Sequence, residues 1–199
     1  MLQAQTLLSE PLMAAYRLYL QPGESLHQTW WHKWDMTSLK AFYGQMPVSV
    51  KRPVDRMLIT RRQIPLWQPQ QLSARQVALI RMQPVLPLLL TALGFQLLGC
   101  ARYLWLGPYR QKLMQMFSEA QCRQLAVLTL PAESIVSITP EDLLEHCLSV
   151  GWSGVQGTYK DDPLWRALQF TLPASMTPVP ELPPVKDPLA MLLRLERFL

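Results

Sequence analysis

Between Arg81 and Arg102 the chain carries no charged residue, and the surrounding stretch, residues 84–106, reads PVLPLLLTALGFQLLGCARYLWL. A helix rises about 1.5 Å per residue, so about 20 such residues reach across a bilayer. This segment is therefore either a membrane helix or the central helix of an all-helical core. Gln83 and Gln96 would carry amides into hydrocarbon, and Pro84 and Pro87 shorten the helix from its N-terminal end, interruptions that weaken a membrane signal. Apolar residues recur with helical spacing at Leu86, Leu89, Leu90, Leu93, Leu97 and Leu104, while Leu88, Ala92, Phe95 and Leu98 fill the other sides. A helix apolar nearly all round is buried, in protein or in lipid. The polar interruptions favour protein, and Ala92, Gly94, Gly99 and Ala101 are small enough for neighbouring helices to approach closely. The expected fold is all-α: a single compact multi-helix domain around this long apolar helix.

The remaining composition agrees. With 49% hydrophobic and 17% charged residues in 199, the chain supports a sizeable core and is not of disordered composition. A net charge of +5 falls short of a nucleic-acid binder and suits an acidic protein surface or anionic lipid. Cys100, Cys122 and Cys147 are odd in number and lack paired spacing, so they form neither a disulfide framework nor a zinc motif; all three read as reduced, buried small hydrophobes. The N-terminus lacks a basic region, and Glu10 and Pro11 interrupt its apolar run, which argues against a secretory signal and for a cytosolic location.

Punctuation is dense. Pro11, Pro108, Pro140, Pro163 and Pro188 precede helical patterns, where proline's fixed φ and missing N–H cost little. Thr139, Asp162 and Asp187 stand before three of them as N-caps. Ser73 with Gln76 and Ser118 with Gln121 are capping boxes. Trp30, Trp31 and Trp34 fall within one short helical segment and are expected to fill a core; His27 and His32 lie five apart, the wrong spacing for two ligands on one helical face.

Residues 46–70 read as the least regular part of the body, and they hold Lys51, Arg52, Arg56, Arg61 and Arg62 against Asp55 alone. Such a cluster is a solvated loop or a basic patch for an acidic partner. The central helix is expected to stop at Gly107-Pro108. Gly151, Gly154 and Gly157 read as a flexible connection, since no Gly-Lys-Ser/Thr ending makes them a phosphate loop. The expected organisation is a helical body over 1–172, a Pro-rich linker over 173–186, and an amphipathic helix over 187–199. That last helix is too short to be stable alone in water, so its stripe of Leu189, Leu192, Leu195 and Leu199 must dock on the body or on another protein.

No catalytic constellation emerges. Glu141, Asp142 and Glu145 occupy the first turns of a helix, where the dipole favours acids. Glu145, His146 and Cys147 are consecutive and so point in different directions. No metal or cofactor site is expected.

Leu93-Gly94 followed by Leu97, Gly99 and Arg102, then Arg123-Gln124, Gly151-Trp152 and the segment from Arg166 to Pro173, resembles the SctK family (YscK, OrgA, MxiK), accessory proteins of the bacterial type III secretion sorting platform. The resemblance covers roughly residues 84–173. It implies a cytoplasmic, all-helical, non-enzymatic adaptor at the inner-membrane face, linking the ring protein SctD to the pod protein SctQ, which carries the SctL–SctN stator and ATPase. It carries no catalytic or binding residues over. The partner-binding candidates are Lys51, Arg52, Arg56, Arg61 and Arg62 for the ring protein, and Leu189, Leu192, Leu195 and Leu199 for a second contact or self-docking. The rival readings are a small membrane-associated protein with residues 84–106 as its span, an enzyme using Glu145, His146 or Cys147, and a secretion chaperone; the basic balance weighs against the chaperone.

Overall fold

The structure is a computed structural model that describes residues 9–65, 67–99, 101–129, 138–176, 179 and 185–199. Cys100 and part of the expected linker lie outside these residues. The described residues form α1 (Glu10–Leu20), α2 (Pro22–Ser25), α3 (Gln28–Lys33), α4 (Thr37–Tyr43), α5 (Val48–Arg62) and α6 (Ala74–Met82). There follow α7 (Leu86–Leu97), α8 (Gly107–Leu113), α9 (Glu119–Leu128), α10 (Leu143–Tyr159), α11 (Pro163–Leu168) and α12 (Pro188–Phe198), with 3-10 turns at Gln83–Val85, Ala101–Leu104 and Gln169–Thr171. The chain is all-α, as expected.

Four of the expected caps act as their chemistry predicts. Both capping boxes close in both directions, at Ser73–Gln76 before α6 and Ser118–Gln121 before α9. Asp162 and Asp187 accept from Leu164 N–H at 2.9 Å and Ala190 N–H at 3.1 Å. Each satisfies a donor that the first turn of a helix leaves open.

The chain divides into two compact units, neither of them continuous in sequence: Met1–Gln83 with Asp161–Ser175, and Pro84–Lys160 with Met176–Leu199. In the first, the core gathers Leu26, Trp31, Met36, Tyr43, Val54, Leu58 and Phe170, with Trp30 and Trp34 packed against it. The tryptophan cluster is thus core, as its density suggested. Trp30 and Trp34 stand 4.7 and 6.0 Å from the Phe170 ring, within the range of favourable aromatic pairs. Trp30 Nε1–H donates to the Leu172 carbonyl at 2.9 Å, which gives the indole its polar partner.

The second unit is built on the crossing of α7 and α10. Leu86, Leu90, Ala92, Leu93 and Phe95 of α7 are wholly buried. A Cβ on Gly94 would collide with the Cys147 carbonyl, and one on Gly151 with the Leu90 carbonyl. Each glycine therefore faces a carbonyl one turn before the other glycine, and the two backbones touch where side chains would normally separate them. This overturns the expected flexible connection: α10 runs unbroken through Gly151, Gly154 and Gly157. Glycine's cost in a helix interior is offset by the close approach.

Two further expectations shift. The apolar helix ends at Leu97, well before Gly107-Pro108, because Gly99 turns left-handed at φ 61° and its N–H donates to the Gln96 carbonyl, a termination glycine makes at little steric cost. Residues 46–70, read as irregular, contain the 15-residue helix α5. The run Ala74–Leu97 is apolar and long enough to cross a membrane by length and composition alone, and 56% of its most apolar window is buried. Within its unit, α7 is covered by α10, α12 and α9.

Candidate functional site

The basic segment becomes a helical face. On α5, Val54, Leu58 and Arg62 recur at four-residue intervals and are buried, together with Asp55. Arg52, Arg56 and Thr60, on the same spacing, face out with Pro53. Pro53 lies inside the helix and deprives the Ser49 carbonyl of its usual donor; both residues are exposed, so water can take that place. The proline sits on the one side of α5 that tolerates it.

The five cations therefore have different duties. Arg52 and Arg56 are exposed and have no ion partner among the described residues. Arg61 donates from Nη1 to the Trp34 carbonyl at 3.0 Å. Lys51 lies 3.5 Å from Glu24 and 5.1 Å from the centre of the Tyr43 ring. Arg62 is 5% exposed and belongs to the fold: its Nη1 donates to Leu18 O at 3.1 Å and its Nη2 to Tyr19 O at 2.6 Å. Those carbonyls are in the last turn of α1, where intrahelical donors run out and a cation is favoured by the dipole. Burial lowers the Arg62 pKa to about 10, which leaves it charged at neutral pH.

Beside this face opens a hollow of about 360 Å³, lined among others by Leu20, Glu24, Lys51, Arg52, Asp55 and Arg56. Asp55 accepts from Gly23 N–H at 3.1 Å and from the Tyr43 hydroxyl at 2.8 Å. Burial raises its pKa, against the lowering effect of these two hydrogen bonds. Burial, then the bond to Asp55, raises that of Tyr43. Asp55 therefore ties α2, α4 and α5 together, and the cations rest on a floor fixed from within.

The leucine stripe of α12 turns inward: Leu192 and Leu195 are buried, Leu189 and Leu199 half-buried, and α12 packs on α7 and α10 of its own unit. Gln121 Nε2–H donates to the Leu199 carbonyl. Glu145 is exposed, His146 half-buried and Cys147 wholly buried, so the three consecutive residues form no common site. Thr139 Oγ1–H donates to the Asp142 carboxylate at 2.7 Å, but within a turn: α10 starts only at Leu143 with Asp142 at its N-cap. Thr139 is therefore not the expected cap, and Glu141 and Asp142 precede the helix instead of occupying its first turns. Among the described residues no group of three His, Cys, Asp or Glu is placed to hold a metal.

One surface residue escapes the sequence reading. Trp105 is 75% exposed, just past the last apolar run. Its position beside Leu106 and before Gly107-Pro108 made it look like the tail of the central helix; the left-handed turn at Gly99 takes it out of that helix.

The described residues thus present a cationic helix face on α5 and an exposed tryptophan at Trp105. The chain belongs to a family of type III secretion system subunits, whose model matches residues 13–174. No curated protein and no solved structure matches it. The match includes the tryptophan cluster and the basic helix, neither of which the SctK resemblance covered.

Proposed function

We propose that this chain is a non-enzymatic cytoplasmic adaptor of the type III secretion sorting platform, standing at the inner-membrane face between a ring protein like SctD and a pod protein like SctQ. The observation that carries this reading is the outward pair Arg52 and Arg56 on α5, held on a floor fixed by Asp55 and Arg62. Family membership supplies the apparatus; the cationic face supplies a surface for an acidic partner, with long-range steering that salt weakens. The α12 stripe serves in this reading to dock the helix on its own unit.

The test is the double variant Arg52→Glu/Arg56→Glu, with Arg62 kept because its guanidinium is internal. Binding to the purified cytoplasmic domain of the ring protein is expected to weaken at least about tenfold, roughly 1.4 kcal/mol. The melting temperature should stay unchanged, since surface substitutions away from packed features alter stability little. Undiminished ring binding by a folded double variant would remove α5 from the contact. Recovery of ring and pod proteins together with the wild-type chain from the native cell checks the adaptor role itself.

A further inference from the structure

We infer that the surface around Trp105 is a second docking site, taking an acidic protein segment that carries an apolar anchor. This goes beyond the α5 reading and does not depend on it. Trp105, 75% exposed, is among the most exposed large apolar side chains of the described residues. Trp105 lines a hollow of about 140 Å³ with Leu104, Cys122 and Ala126, and with the charged groups Arg110, Glu119 and Arg123. Its floor is apolar and fixed, since Leu104 and Cys122 are each 5% exposed. Its rim is polar. An exposed indole beside a small apolar hollow with a charged rim is the arrangement that concentrates binding energy in protein interfaces.

The charges say what fits. Glu119 is already taken by Arg110, whose Nη2 lies 2.8 Å from its carboxylate. Arg123 is exposed and has no ion partner among the described residues. From Ala101 to Thr129 the chain carries Arg102, Arg110, Lys112 and Arg123 against Glu119 alone. A partner that seats an aliphatic or aromatic side chain over Cys122 and against Trp105 would bring a carboxylate to Arg123, which can grip it through two parallel N–H groups. The same chemistry disfavours a second copy of this chain, whose own surface is basic.

The probe is an array of overlapping short peptides tiled over the other subunits of the same apparatus, incubated with the full chain. Bound peptides should be acidic and carry an apolar residue. Trp105→Ala should weaken them at least about tenfold, the behaviour of an interface anchor. Arg123→Glu should weaken the acidic peptides and strengthen versions whose acids are changed to lysine. The double variant Arg52→Glu/Arg56→Glu should bind them as wild type does, which separates this site from α5. Thermal melts of both Trp105→Ala and Arg123→Glu should match wild type, because both positions are exposed. Peptide binding indifferent to Trp105, or no peptide binding at all, overturns the proposal. So does Trp105-dependent binding to mixed phosphatidylcholine–phosphatidylglycerol vesicles without peptide binding, which would make the surface a membrane contact. Trp105-dependent self-association in sedimentation would overturn it in favour of a homo-oligomer.

Discussion

Asp55 shows how a single buried carboxylate organises the basic face. Its two donors, Gly23 N–H and the Tyr43 hydroxyl, need an acceptor and have no use for the charge itself. Asp55→Ala leaves both unpaired and is expected to cost about 1–3 kcal/mol, read from chemical denaturation. Asp55→Asn keeps a carbonyl oxygen for both donors and should cost much less. The pH dependence follows from the raised pKa. The folded state holds this proton more tightly than the unfolded chain, so the contribution is fully present below the ordinary value of 3.8 and is lost as pH rises through the folded value. The stability of Asp55→Asn relative to wild type should therefore increase from about pH 4 to neutrality; a pH-independent difference would contradict the assignment. None of this was legible in the chain, where Asp55 was only the lone acid among five cations. Its role depends on Gly23 and Tyr43, which are distant in sequence and meet it only after α2 and α4 have packed on α5.

At the scale of elements, the α7–α10 crossing makes a graded prediction from four glycines in two helices. Gly94→Ala and Gly151→Ala each drive a Cβ into a backbone carbonyl that cannot rotate away, and each should cost about 3 kcal/mol, the upper end of overpacking. Gly154→Ala meets only the Leu97 and Val185 side chains, at 2.9 and 3.0 Å, which can shift, so its cost should be well below that. Gly157 faces open space, and Gly157→Ala should stabilise by about 0.5–1 kcal/mol through helix propensity. Parallel thermal melts test the order; equal effects at Gly94 and Gly157 would refute the crossing. Capping boxes, N-terminal prolines and the apolar stretch announced themselves because their signals are local. The glycines of α10 misled for the same reason: three in seven residues look like a loop until the partner helix is known. The SctK resemblance, which rested partly on Leu93-Gly94 and Gly151-Trp152, had singled out two of the crossing residues without showing what they do. Helix α5 was missed because Pro53 and its polar neighbours hide a period that only its buried side displays.

At the scale of the molecule, the first unit is closed by a segment made long after the rest of it. His27 N–H donates to Phe170 O at 2.9 Å, Trp30 to Leu172 and Ala174 N–H to Thr29 Oγ1 at 2.7 Å. Phe170→Ala removes the ring that Trp30 and Trp34 pack on and should cost about 3–5 kcal/mol, seen as a lower denaturation midpoint and a changed tryptophan emission. The interleaved order also has a consequence in time. Trp30 and Leu172 are separated by 142 positions, which a ribosome covers in roughly 7–28 s at 5–20 residues per second. For that interval the nascent chain displays its tryptophans with no lid over them, and its earliest-made half waits on its latest. A ribosome stalled before Phe170 emerges would leave that aromatic surface uncovered.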